Sequence, residues 1–274
     1  MCHIRRLCTS LPRIRLPAIF PPGSPPRKVA PASVVGYTSN SATQGKFYII
    51  GAQFEDVSAG GIPINGVLSG VEGVDYDDAF AFITTAAQIQ IPDGGGYKTY
   101  YYLNDGYDLE KDDGTTAAGW CDSDGNLTTD EITPGVAMWF KSVPSDGMAT
   151  IAGAVSDASY KTVDCPQNFA LRTQVFPVVT ALNGSAMTSE DIKGVDYDDA
   201  FTFITTASQI QVPDGGGYKT YYYLNDGYDL EKDDGTTAAG WCDSDGNLTT
   251  DTIPAGQGFW TKGVSGAFTL KFTL

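Results

Sequence analysis

Histidine is almost missing from this sequence: its 274 residues include one, His3, and none follows it. That removes Ser/His and Cys/His nucleophilic pairs and His-ligated hydrolytic metal sites together, because each needs an imidazole as base or ligand. Carboxylate chemistry survives, but a glycosidase needs two carboxyl groups ~5–9.5 Å apart across a cleft. Nothing selects such a pair among 33 acidic residues, so the sequence reads as a protein that is not an enzyme. Long apolar runs are missing as well. No stretch of ~18 apolar residues exists, which excludes a helical membrane span. Basic residues are scarce and unevenly placed. Six of the 17 (Arg5, Arg6, Arg13, Arg15, Arg27, Lys28) lie in residues 1–33, leaving 11 against 33 acids beyond them, a net charge of −22. Such a field repels phosphate backbones, so nucleic acid is excluded as a partner and divalent cations become natural ones.

Cysteine is sparse too. Of five, Cys2 and Cys8 lie in the first 33 residues, and no Cys-x2-Cys spacing supports zinc. For Cys121, Cys165 and Cys242 three readings stand open. Cys121 and Cys242 could bond only across a two-fold axis. Cys165, aligned with Gly36, could reach Cys242. All three could instead be buried thiols.

What the chain does contain is one long segment twice. Gly73–Asp130 recurs at Gly194–Asp251, shifted by 121 positions, with three differences: Ala81/Thr202, Ala87/Ser208 and Ile91/Val212. That period is too long for a solenoid coil and fits a small domain. Residues 1–33 read as a disordered, basic, Pro-rich leader, followed by a first β domain over 34–155, a linker over 156–162 and a second β domain over 163–274. Leu16–Phe20 is too short for a secretory apolar core. Ala30-Pro31-Ala32 has the small-x-small form of a signal-peptidase site, so a mature start near Ser33 and an ordinary floppy tail both remain readings of the leader.

Within each unit the signals are those of strands. Phe268, Leu270, Phe272 and Leu274 alternate with polar residues, and Met148–Val155 is the counterpart. Gln88–Ile91, a Pro-Asp-Gly-Gly-Gly breaker and Tyr97–Leu103 read as a hairpin. Phe47–Phe54, Phe80–Ile83 and Val136–Lys141 read as further strands. Phe47–Ile50 aligns with Phe176–Val179, which makes the second unit eight residues shorter within the loop-like stretch Val57–Gly70. No window offers an amphipathic helix of ten residues. The fold expected is all-β: two tandem, near-identical β-sandwich or barrel domains, each on the order of 110 residues.

The order of these elements, with Ile132, Gly135, Met138, Trp139 and Lys141 repeated as Ile253, Gly256, Phe259, Trp260 and Lys262, resembles a small β domain found in tandem in uncharacterised exported proteins of Gram-negative bacteria. The resemblance implies an extracellular or cell-surface location and brings no activity with it.

Two features carry chemistry. The first is acidic: Asp105, Asp108, Glu110, Asp112 and Asp113 crowd one segment, and Asp122, Asp124, Asp130 and Glu131 follow around Gly125. With Asp243, Asp245 and Asp251 in the second unit, these are the candidate Ca²⁺ ligands, since hard cations take six to eight oxygens. Trp120 at the first ligand position and Thr252 in place of Glu131 exclude an EF-hand, and Asp/Gly/Asn as plain turn formers is the competing reading. The second is aromatic. Tyr100, Tyr102 and Trp120, with their twins Tyr221, Tyr223 and Trp241, are the candidate sugar platform, against core packing as the alternative. The reading as a whole is an exported, acidic, structural or adhesive surface module stabilised by Ca²⁺, or alternatively a glycan-binding module. Its expected partner is a surface polymer, a glycan or another copy of itself.

Overall fold

The computed structural model describes residues 35–56, 61–67, 70–77, 79–105, 118–198, 200–226 and 239–274. The protein is mostly β, and its described helices are single turns. The acidic segment around Asp108–Asp113 lies outside the described residues.

The two repeats build sheets of the same order. In the first, strand Phe47–Gly51 pairs with Ala137–Lys141, which pairs with Gln88–Asp93, then Gly96–Asp105, then Val74–Asp75 in parallel, with Gly119–Cys121 also on Gly96–Asp105. The second repeats this with Phe169–Thr173, Gly258–Lys262, Gln209–Asp214, Gly217–Asp226, Val195–Asp196 and Gly240–Cys242. The Gln88–Asp93 strand runs through Pro92 to Asp93 and reverses on Gly94 and Gly95, whose φ values of 53° and 95° only glycine adopts freely. This is the two-residue turn that matches strand twist.

One face of each sheet carries the main core. Ile50, Ile89, Tyr100, Trp120, Met138 and Phe140 pack there against Ala149 and Ile151 of the closing strand Gly147–Ala154, which pairs with Val35–Ala42. The second repeat does the same with Ile210, Tyr221, Trp241, Phe259, Leu270 and Phe272. Alternation along the strands sends Tyr101 and Leu103 to the opposite face, where Phe82, Ala86 and Cys121 cover them. The covering segment corrects one expectation. Phe80–Ile83 is not a strand: Phe80 is left-handed (φ 57°), and Phe82–Thr85 is one helical turn. Asp77 makes that turn, its carboxylate accepting the Ala81 (2.9 Å) and Phe82 (3.2 Å) N–H groups.

Pairing registers also correct the alignment of the two repeats. Phe47 faces Lys141 and Phe169 faces Lys262, so Phe47 corresponds to Phe169. Phe176 instead matches Phe54, each fully buried in its own core. Ala42 faces Gly147 and Cys165 faces Phe268, so Cys165 corresponds to Ala42 and not to Gly36. Ile62 and Thr180 occupy equal places opposite Ile132 and Ile253. The second repeat is therefore four residues shorter between Phe176 and Thr180, and three longer between Asn183 and Gly194. This longer stretch holds strand Met187–Glu190, which pairs with the closing strand Phe268–Thr273. The connection is shorter than expected as well, since strand Tyr160–Cys165 begins inside the expected linker.

Candidate functional site

The repeated acidic turn is built by its own side chains. Asp122 Oδ1 accepts the N–H groups of Asp124 and Asn126 (2.9 Å each), and Oδ2 accepts the Asn126 amide (3.3 Å). Gly125, at φ 83°, closes the loop. Asp243 does the same for Asp245 and Asn247. Asp124 and Asp245 point outward, and Glu131 is exposed on a short strand beside Pro63.

Asp130 is brought to a different partner set. Its Oδ2 accepts from Lys98 Nζ (2.5 Å) and from the Tyr100 hydroxyl. Asp251 repeats this with Lys219 (2.7 Å) and Tyr221 (2.6 Å). The Lys98 bond, then the Tyr100 bond, hold the Asp130 carboxyl below the usual carboxylate range, and Asp251 is held down alike by Lys219 and then Tyr221. Burial, reinforced by the bond to Asp130, pushes the Tyr100 hydroxyl up to about 12, and Tyr221 moves the same way. Asp122 and Asp130 line one pocket of about 540 Å³ with Lys98 among them. The Lys98 ammonium thus already neutralises the Asp130 carboxylate. Among the described residues no group of three metal-ligating side chains occurs.

The rings expected to form a sugar platform point inward instead. Trp120 and Trp241 are 0 % and 1 % exposed, and Tyr100 and Tyr221 are 2 % and 3 % exposed. Tyr102 and Tyr223 are half-buried and meet those indoles edge-on, centroids 5.2 Å apart. The face that carries them is the core face, so Tyr100, Trp120, Tyr221 and Trp241 are closed to a ligand and Tyr102 and Tyr223 are only partly open. The thiols do not meet either: Cys165 lies in the main core and Cys242 in the cluster on the opposite face of the sheet. Burial pushes the Cys165 thiol up to about 11.

The arrangement that sequence reasoning missed is the junction of the two repeats. On the outer face of each sheet, Ile49, Ala137 and Trp139 pack against Leu171 and Trp260, with the two indoles 6.2 Å apart. Backbone bonds cross the seam in matched pairs. Gly51 N–H donates to Gly256 O (2.9 Å) and Thr173 N–H to Gly135 O (3.0 Å), while Ile50 bridges Gln257 as Arg172 bridges Val136. Gly51 corresponds to Thr173 and Gly256 to Gly135, so each bond is the image of the other about a local two-fold axis. Glu55 and Lys161 add an ion pair between the repeats.

The seam also tells the repeats apart. A Cβ on Gly51 would fall 1.9 Å from Thr173 Oγ1, and one on Gly258 would fall 2.6 Å from Ala137 Cβ. A small residue in one repeat thus faces a larger one at the equivalent place in the other. Two first repeats would set Ala137 against itself, and two second repeats would set Thr173 against itself. The signal for this face was present in Phe47-Tyr48-Ile49-Ile50: a strand apolar on both sides is covered on both sides.

Beside the seam runs a cleft of about 700 Å³ between the first repeat's opening strands and the Pro213–Tyr218 hairpin of the second. Compared with family models, with curated proteins and with solved structures, the chain matches none.

Proposed function

We propose that this chain is an exported structural or adhesive surface module, made of two tandem, near-identical β-sandwich domains held as one rigid body. The observation that carries the reading is the junction. A short connection and a two-fold set of main-chain bonds suit a module that must transmit or resist force between its halves. The repeated Asp, Lys and Tyr side chains support it further, because they are spent on holding loops to strands. The acidic surface beyond residue 33 suits a chain that stays dispersed outside the cell. Its partner is a surface polymer, a glycan or another copy, with Ca²⁺ as an added stabiliser.

The test is location and attachment together. Protease added to intact cells that produce the full chain is expected to digest it, and beads coated with purified chain are expected to adhere to those cells. Retention inside the cell, with no adhesion by the beads, would contradict the proposal.

A further inference from the structure

We propose that the junction cleft is a binding site for a neutral saccharide chain. This rests on the adhesive reading above and names the ligand class it lacks. Four rings border the cleft: Phe47 and Tyr218, 45 % and 46 % exposed, and the half-buried Tyr48 and Trp139. Phe47 and Trp139 stand edge to face at 6.0 Å, so the wall is a corner of ring surface. Polar groups lie among the rings: Asn40, Asp214, and the serines on either side of Asn40. Ring faces for the C–H side of a pyranose, with amide, hydroxyl and carboxylate groups for its hydroxyls, are the chemistry that such a ligand requires. The volume lies within the range of small-molecule sites, ~300–1,000 Å³.

A second observation points the same way. The Asn40 side-chain Nδ2, in a residue that lines the cleft, is buried without a hydrogen-bond partner among the described residues. An unsatisfied buried donor is costly, and a protein that keeps one beside a cleft has a use for it there.

The local two-fold axis supplies a third. Registers equate Asn40 with Val163, Tyr48 with Ala170 and Gln257 with Val136. The image position has therefore exchanged an amide, a phenol and a second amide for apolar side chains, whereas the repeated hairpin carrying Tyr218 is almost unchanged around Tyr97. The rings Phe47, Trp139 and Tyr218 have twins in Phe169, Trp260 and Tyr97, so what sets this side of the seam apart is Asn40, Tyr48 and Gln257. Gln257 Nε2 donates to Ile49 O across the seam (2.9 Å) and the Tyr48 hydroxyl accepts the Thr43 N–H (3.1 Å), which leaves the Asn40 amide as the group that joining the repeats does not use. Lys46 and Asp214 oppose each other in sign at the cleft while the chain as a whole is at −16, which favours a neutral ligand over an anionic polymer.

The experiment uses the full chain and three probes, cellohexaose, maltohexaose and chitohexaose, followed by tryptophan fluorescence and calorimetry. One of them is expected to bind and to perturb the emission, since Trp139 lies in the wall. Tyr218→Ala is expected to weaken that binding at least tenfold, and Asn40→Ala likewise. Tyr97→Ala removes the twin ring, equally exposed in the same hairpin, and is expected to leave binding unchanged. Binding by none of the three, or equal losses in Tyr97→Ala and Tyr218→Ala, overturns the proposal. Bead adhesion that survives Tyr218→Ala would sink this site and leave the adhesive reading standing.

Discussion

At the residue scale, Asp122 and Asp243 stiffen a turn with their carboxylates, and this was legible, because Asp-Ser-Asp-Gly-Asn is a turn sequence with a mechanism. Replacing Asp122 by Ala leaves two N–H groups without their acceptor and is expected to cost about 1–2 kcal/mol. Urea unfolding should give the same cost in millimolar Ca²⁺ and in EGTA. A cost that disappears in EGTA would make Asp122 a calcium ligand. What the sequence hid was the use of Asp130, because Lys98 and Tyr100 are about thirty residues away and only the sheet brings them together. The pH dependence follows from the directions of the shifts. Asp130 and Asp251 are held below their ordinary value, so what they add to stability is complete above the unfolded carboxylate pKa of ~3.9 and is lost as pH falls through the lower folded value. Tyr100 is raised to about 12, so its share is present below ~10 and is lost as pH rises through 12. The variant Asp130→Asn/Asp251→Asn is expected to flatten the acid limb of melting temperature against pH. An unchanged limb would show that other groups set it.

At the scale of elements, the Gln88–Asp105 hairpin could be read in advance because alternation, a glycine turn and a tyrosine run agree. Phe80–Ile83 could not, since four apolar-rich residues fit a strand or a turn equally and Asp77 decides between them. Strand Met187–Glu190 of the second repeat sets up a comparison between twins. Trp241 Nε1 donates to Ser189 Oγ on that strand (3.2 Å), whereas Trp120 Nε1 is buried without a partner among the described residues. Removing a bonded N–H forfeits the bond and strands its acceptor, while removing an unpaired one relieves a desolvation cost. Trp241→Phe is therefore expected to lose about 1 kcal/mol more stability than Trp120→Phe, measured by denaturant unfolding of each variant. Equal losses would mean that the Ser189 bond contributes nothing.

At the scale of the whole molecule, the duplication announced two similar units but could not say how they meet. Register carries that information, and register comes from long-range pairing: matching Phe47 to Phe176 was the best fit by composition, and Lys141 and Lys262 place Phe169 there instead. The repeats meet about a local two-fold axis, with small residues set against larger ones across it. The most direct measurement is a three-variant unfolding series on the full chain. Gly51→Thr sets two threonines against each other where a Cβ would already be 1.9 Å from Thr173 Oγ1, and is expected to cost about 1–3 kcal/mol. Thr173→Gly is expected to destabilise by leaving a gap. Because the axis exchanges the two positions, Gly51→Thr/Thr173→Gly rebuilds the same small-against-large pair in reverse and is expected to recover most of both losses. A double variant whose loss equals the sum of the two single losses would contradict the two-fold junction.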